Sequence, residues 1–516
     1  MSEITAVAGQ LSNPAKGSDR TLRGNLGVAS IVFMVVAAAA PLGVVGGVFP
    51  LGIANGNGAG FPATFLVSTV ILLLFAVGFT ALTPFVDDAG AFFSYIRHSL
   101  GFSIGIGFGF VALVSYVALE AGVYGLLGPA GVGVITLFGG AEIPWWAVAA
   151  VAFAVTTYLG YRNIELSSRV LGVLLTAEIA VIGVLDLVIV LRGGGDDGLS
   201  TGVVDPATVF SGSLGIGLLF AMLSYIGFEA TAVFRDEAKD PRRTIPRATY
   251  AALILIGAFY AVSSWALISA WGDDRAVTQA TDSGGTFLAD IAQTYIRTAG
   301  NDIITVLYFT SLFACILAFH NVASRYVFAL SQHRVLPDAL GVAHPAHGSP
   351  HKASLWISAV VAVGIAAAVL FGLDPVTQFY TWFAATTTVG FVVLLIATSV
   401  AVLVFFARDR RGYSRWRVHI APALGLVGLG VTLALILTNL EGLATSNALG
   451  WGIIGLLIVS FVIGSLIARR AAGTAAVNPV VHSCPAPTPQ APTPQTPTPR
   501  PTSLGAHCPT DLPTVH

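Results

Sequence analysis

Lysine is almost missing from this chain of 516 residues: Lys16, Lys239 and Lys352 are all there is. Only 10% of the residues are charged, and the net charge is -1. A net charge so close to zero offers no electrostatic footprint for nucleic acid. Cysteine is equally scarce. Cys315, Cys484 and Cys508 form no CxxC pair and no even, regularly spaced set, which excludes a disulfide framework and a thiolate metal site. No GxGxxG, no P-loop and no nucleophile triad occurs, so no cofactor and no enzyme activity is expected. The low lysine against plentiful arginine points to a GC-rich bacterial genome.

What remains is apolar. Hydrophobic residues make up 55% of the chain and mean hydropathy is +0.82, the signature of a multi-span membrane protein. About 20 apolar residues cross a bilayer as a helix. Twelve such runs can be read: 26–54, 61–84, 101–129, 145–160, 168–191, 209–234, 248–271, 300–331, 353–372, 376–406, 420–438 and 449–468. They are numbered spans 1 to 12 below. Continuous runs of this length suit helices and not the alternating strands of a barrel. The fold class expected is therefore an all-α membrane protein of twelve transmembrane helices.

Orientation follows from the loops. With the amino terminus in the cytoplasm, every lysine and arginine of the 25 falls inside except Arg192, Arg275 and Arg297. Both termini are then cytoplasmic and the protein sits in the bacterial cytoplasmic membrane. The first 24 residues are polar and read as a cytoplasmic segment without a signal sequence. Residues 25–470 form the membrane domain. Residues 471–516 contain "CPAPTPQAPTPQTPTPRPTS", whose prolines forbid helix, and read as a disordered cytoplasmic tail.

Two spans carry breaks. Span 1 contains "AAAAPLGVVGGVFPLG", with Pro41 in mid-membrane beside Gly43, Gly46 and Gly47. Span 6 contains Gly215, Gly217 and Gly227, then Glu229. Interrupted helices at matching places of two repeats mark the substrate site of inverted-repeat transporters. Helix amino ends at a break attract a carboxylate, and freed carbonyls attract an ammonium. The pattern calls for a zwitterion held by Ala40, Pro41, Leu42 and Gly43 on one side and Tyr225, Ile226, Gly227 and Phe228 on the other. Unwinding is expected near Pro41–Gly43 and Ile226–Gly227.

"GFEATAVFRDEAKDPRRTIPRATY" (Gly227 to Tyr250), "NVASRYVFALSQHRVLP" (Asn321 to Pro337) and "PFVDDAGAFFSYIRHSLG" (Pro84 to Gly101) resemble signature segments of the amino acid–polyamine–organocation permeases. The resemblance covers roughly residues 24–470. It implies a leucine-transporter-like fold, with spans 1–5 and 6–10 as inverted repeats and spans 11 and 12 peripheral. It also implies a secondary transporter for amino acids. Where many members carry a Gly-Ser-Gly-rich motif, this chain has "APLGVVGG" (Ala40 to Gly47), which leaves recognition to backbone amides.

Ionisable groups inside spans are usually functional. Glu178 lies in span 5, about where some proton-coupled members of that family place a lysine. A carboxyl at this depth can carry a proton, or merely bond free backbone of span 1. Glu120, with Tyr116 and Tyr124 one turn to either side, is a second proton candidate or a lining of the outer vestibule. Glu229 suits the start of the helix after the break, and Asp186 is near enough to the end of span 5 to reach water. Thr310 and Ser311 offer hydroxyls to sodium, the rival driving ion. His344, His347 and His351 lie close together, but Pro345 and Pro350 prevent their alignment as metal ligands. Arg242 and Arg243 belong to the turn between spans 6 and 7, where Pro241 and Pro246 are expected to deny a single continuous helix. The leading function is proton-coupled amino acid symport by alternating access, with the lipid bilayer as the other partner. Uncoupled amino acid exchange, an amine or polyamine carrier, a membrane nutrient sensor and a membrane-embedded enzyme are the alternatives.

Overall fold

The computed structural model describes residues 26–86, 91–162, 168–233, 238–344, 349–444 and 447–477. The amino-terminal segment and the proline-rich tail expected from the sequence lie outside these residues. Residues 1–472 form one compact unit, and the description below concerns that unit.

The described residues are helical, with no strand beyond two isolated bridges. Among the described residues ten helices are long and apolar enough to cross a membrane. They correspond to spans 1, 2, 3, 5, 7, 8, 9, 10, 11 and 12. Of the other two expected spans, span 4 is the 18-residue helix Trp145–Arg162. Span 6 is divided into Leu214–Leu223 and Ala230–Val233. Val70, Val151, Val173, Val363 and Val427 are exposed on these helices. Apolar side chains so placed need lipid as their solvent.

Span 2 (Phe61–Leu82) ends close to an amphipathic helix, Ala91–Leu100, which leads into span 3 (Phe102–Leu137). Gly101 joins these two helices at φ 101, a conformation that glycine adopts without steric penalty. Span 5 is Ser168–Leu191 and span 7 is Pro241–Trp271. The linker before span 7 is expected not to form a single continuous helix: residues 238–240 are non-helical and span 7 begins at Pro241, but Pro246 lies inside the helix without breaking it. Pro241 takes the first helical position, where its missing amide costs nothing. Pro246 deprives only the carbonyl of Arg242, which lies at the exposed end of the helix.

The helix Phe287–Gln332 is two helices in one, divided at Arg297, whose backbone is non-helical (φ 61, ψ -172). The first part precedes span 8 and the second is span 8 itself. Spans 9, 10 and 11 are His351–Leu370, Pro375–Arg408 and Trp416–Asn439. Span 12 runs in Asn447–Val477, past the boundary placed at residue 470. Span 8 packs on span 3 and span 7 on span 2. The loop before span 7 is tied to the chain before span 1: the Lys239 amide donates to the Leu26 carbonyl at 3.1 Å, in a parallel bridge between Leu26 and Ala238. The side on which span 1 begins is called the near face and the opposite side the far face.

Candidate functional site

Span 1 is broken by its own sequence. Helix Val28–Ala38 stops because Pro41 has no amide to continue the ladder and disfavours helical geometry in the residue before it. Ala40 takes a left-handed conformation (φ 46, ψ 69), which costs about 1–2 kcal/mol in a residue with a side chain. The chain then restarts at Pro41–Gly43, widens into a π-helix at Val44–Val48 and continues as Phe49–Asn55. The break falls just before the stretch expected. In span 6 the helix ends at Leu223 and turns run through Ser224–Glu229, with Gly227 at φ 110. Both interruptions lie five spans apart.

Broken backbone leaves polar groups to satisfy. The Leu42 amide donates to Glu178 Oε2 at 3.3 Å, and the Gly43 amide donates to Ser311 Oγ at 3.3 Å. Ser311 Oγ in turn donates to the same Glu178 oxygen at 2.8 Å. Spans 1, 5 and 8 thus meet at one carboxylate, and the two amides expected to hold a substrate are engaged by the protein. Thr310 bonds back to the Leu307 carbonyl. The carbonyls of Ala38, Ser224 and Ile226 accept no hydrogen bond among the described residues.

A cavity of about 40 Å³ lies between the two breaks, with Ala40, Gly43 and Ile226 on its wall. Tyr225 and Phe228, expected on the same wall, point elsewhere. Tyr225 shares a hydrogen bond of 2.6 Å with Thr69 and donates to the Phe65 carbonyl at 3.0 Å, both in span 2. Phe228 packs its ring edge-on against Phe75 and Phe391. Toward the far face, Leu126 separates this cavity from a vestibule of about 560 Å³, which it also lines. Exposed Asn55, Thr281, Asp374 and Thr377 open the vestibule to solvent. Gly46 and Gly47 give way there to Tyr308 and Leu126: a Cβ on Gly46 would sit 2.8 Å from the Tyr308 ring, and one on Gly47 2.5 Å from Leu126.

Toward the near face the path is filled. Tyr116 stacks on Phe319 with ring centres 6.0 Å apart, and Tyr326 lies 5.3 Å from Tyr116 and 5.8 Å from Phe93. The Tyr116 hydroxyl donates to Glu229 Oε1 at 2.5 Å, while Glu229 Oε2 accepts the Gly227 amide at 2.9 Å. Glu229 therefore holds the span 6 break to span 3.

Glu120 does not line the vestibule. It is buried against His320 of span 8, with Oε1 to Nδ1 at 2.8 Å, and the other ring nitrogen meets Ser354 of span 9 at 2.8 Å. Gly160 of span 4 makes room for that ring, since a Cβ there would sit 2.5 Å from it. Asp186, expected to reach water, is buried and accepts from Ser263 of span 7 at 2.6 Å. Arg242 and Arg243 are exposed and outside both cavities; Arg243 pairs with Asp240 at 3.7 Å. No group of three metal-ligating side chains occurs among the described residues, and His347 lies outside them.

Sequence reasoning missed the pairing of His320 with Glu120, which are 200 positions apart. It also missed the cavity wall of spans 3 and 8, where apolar residues look like any other membrane helix. Comparison with known proteins gives the site its setting. The family model "Amino acid permease" matches residues 30–470. An uncharacterized transporter of Mycobacterium tuberculosis is 27% identical over 477 residues, covering 88% of this chain and 94% of its own. A probable GABA permease of Pseudomonas aeruginosa is 25% identical, over 69% of this chain and 74% of its own. A branched-chain amino acid permease of Lactococcus lactis is 25% identical over 43% and 46%. Matched across nearly all of its membrane-spanning length, the chain belongs to the amino acid permease family, whose members are membrane transporters and not enzymes.

Proposed function

We propose that this protein carries an amino acid together with a proton across the bacterial cytoplasmic membrane. Its twelve spans would be arranged as two inverted five-helix repeats plus spans 11 and 12, with both termini in the cytoplasm. The near face is then cytoplasmic. The paired breaks in spans 1 and 6 and the packing of span 3 on span 8 and span 2 on span 7 support this arrangement.

One observation carries the coupling: Glu178 Oε2 takes the Leu42 amide and the Ser311 hydroxyl. An ionised Glu178 is a strong acceptor and a like charge to an arriving carboxylate. Protonation removes the charge and loosens its hold on the Leu42 amide. A substrate carboxylate then competes for the Leu42 and Gly43 amides, and an ammonium finds the carbonyls of Ala38, Ser224 and Ile226. Proton and substrate each raise the affinity for the other, because linkage is reciprocal. That is the thermodynamic requirement of a symporter.

The vestibule at the far face, with Tyr116, Tyr326 and Phe93 filling the near side, supports an outward-facing state of an alternating-access cycle. The test is accumulation of radiolabelled amino acids in vesicles holding the purified protein, with and without an inward-directed proton gradient. Accumulation that rises with the gradient and collapses with a protonophore is expected. Equal accumulation without a gradient, or accumulation that follows sodium instead, would overturn the proton reading.

A further inference from the structure

The central cavity carries a statement about what it takes. Spans 3 and 8 supply its wall with Leu119, Val123, Leu312, Cys315 and Phe319. Among the described residues no charged side chain lines it, and Asp374 is the one charged residue lining the vestibule above. Asp374 is spent on its own helix start: its Oδ1 accepts from the Val376 and Thr377 amides and from the Thr377 hydroxyl. The buried acids nearby are likewise committed. Glu120 faces His320, and Glu229 faces Tyr116 and the Gly227 amide. Glu178, behind the span 1 break, already takes the Leu42 amide and the Ser311 hydroxyl and is absent from the cavity wall. A charged substrate side chain entering here would be desolvated and would meet no charged side chain on that wall.

Size narrows the class further. A water needs about 10–15 Å³ of such space, so 40 Å³ leaves room for only a few small groups beside the broken backbone. The Phe319 ring, stacked on Tyr116, closes the near side. We infer that the substrate is an α-amino acid with a small aliphatic side chain, of the size of alanine or valine, seated on Val123 and Cys315. This rests on the reading of the protein as an amino acid transporter. It sets aside diamines and acidic, basic and aromatic amino acids.

Cys315 makes the inference testable, because it is half-buried on the cavity wall and is the free cysteine of the described residues. The full chain with Cys484→Ser and Cys508→Ser leaves it as the sole thiol. In vesicles, two measurements are made with alanine, valine, phenylalanine, glutamate, lysine and putrescine. One is the rate at which N-ethylmaleimide alkylates Cys315. The other is uptake of each compound. Alanine and valine are expected to be taken up and to slow alkylation at least about fivefold, a change of roughly 1 kcal/mol in occupancy free energy; the other four should do neither. Cys315→Ser should abolish labelling, which assigns the signal. Val123→Ala should shift uptake toward leucine over alanine by about tenfold.

Uptake and protection by glutamate, lysine, phenylalanine or putrescine would overturn the aliphatic class while leaving transport intact. Valine uptake without protection, or an unchanged leucine-to-alanine ratio in Val123→Ala, would remove the side chain from this cavity. Transport of none of the panel would instead sink the transporter reading on which the inference stands.

Discussion

Glu178 Oε2 lies 3.3 Å from the backbone amide of Leu42, across the gap between spans 5 and 1. Glu178→Gln tests what that contact is for. Glutamine keeps a carbonyl oxygen for the amide, so the fold should hold, but it cannot release a proton. Accumulation driven by a pH gradient is expected to fall at least about tenfold, equivalent to roughly 1.4 kcal/mol of lost driving force. Counterflow exchange of substrate should persist. Full gradient-driven accumulation in this variant, measured in the same vesicles, would reduce Glu178 to a strut for the break.

Gly43 sits where backbone and substrate are expected to meet. A Cβ there would lie 3.3 Å from Leu312 and 3.5 Å from the Ala40 Cβ. Gly43→Ala needs only a small shift and should transport. Gly43→Val adds an isopropyl group to a cavity of about 40 Å³ and should raise the half-saturating substrate concentration about tenfold, at normal expression. An unchanged half-saturation in the valine variant would place the substrate elsewhere.

His320 and Glu120 are each 1% exposed, so each is the other's answer to burial. Removing the imidazole with His320→Ala leaves a buried carboxyl without its hydrogen-bond partner, a loss of about 1–3 kcal/mol. The thermal midpoint in detergent should drop clearly. Glu120→Gln should cost less in that variant than in the wild type, which a double-mutant cycle would read as coupling. A wild-type midpoint in His320→Ala would mean that the pair contributes nothing.

Arg242 and Arg243 stand at the exposed start of span 7. Neutralising both to glutamine is expected to slow turnover or disturb insertion while leaving the order of preferred substrates unchanged. Competition assays across an amino acid panel check this. A changed order would bring the loop into the binding site.

The broken helices were legible because Pro41 removes an amide and Gly227 permits φ 110, and both effects are local. What depends on distant residues was not. Nothing in the spacing around Glu120 announces His320, and nothing around Asp186 announces Ser263. The side-chain directions at the second break were also hidden. Tyr225 turns to Thr69 because a buried hydroxyl must find a partner, and span 2 provides one. Pro246 misled for a related reason. Its effect depends on whether the carbonyl it orphans meets water, which a sequence does not state. Span 4 and span 6 fall short of the other ten, since one is diluted by Trp, Thr, Tyr and Arg side chains and the other is cut by its own turns.

The bridge between Leu26 and Ala238 has an engineering consequence. It joins the point where the chain enters its first broken helix to the segment just before span 7. A fluorescent or affinity label fused upstream of residue 26 leaves this clasp intact. A fusion that starts at residue 28 removes Leu26 and with it the hydrogen bond from the Lys239 amide that ties the loop before span 7 to the start of span 1.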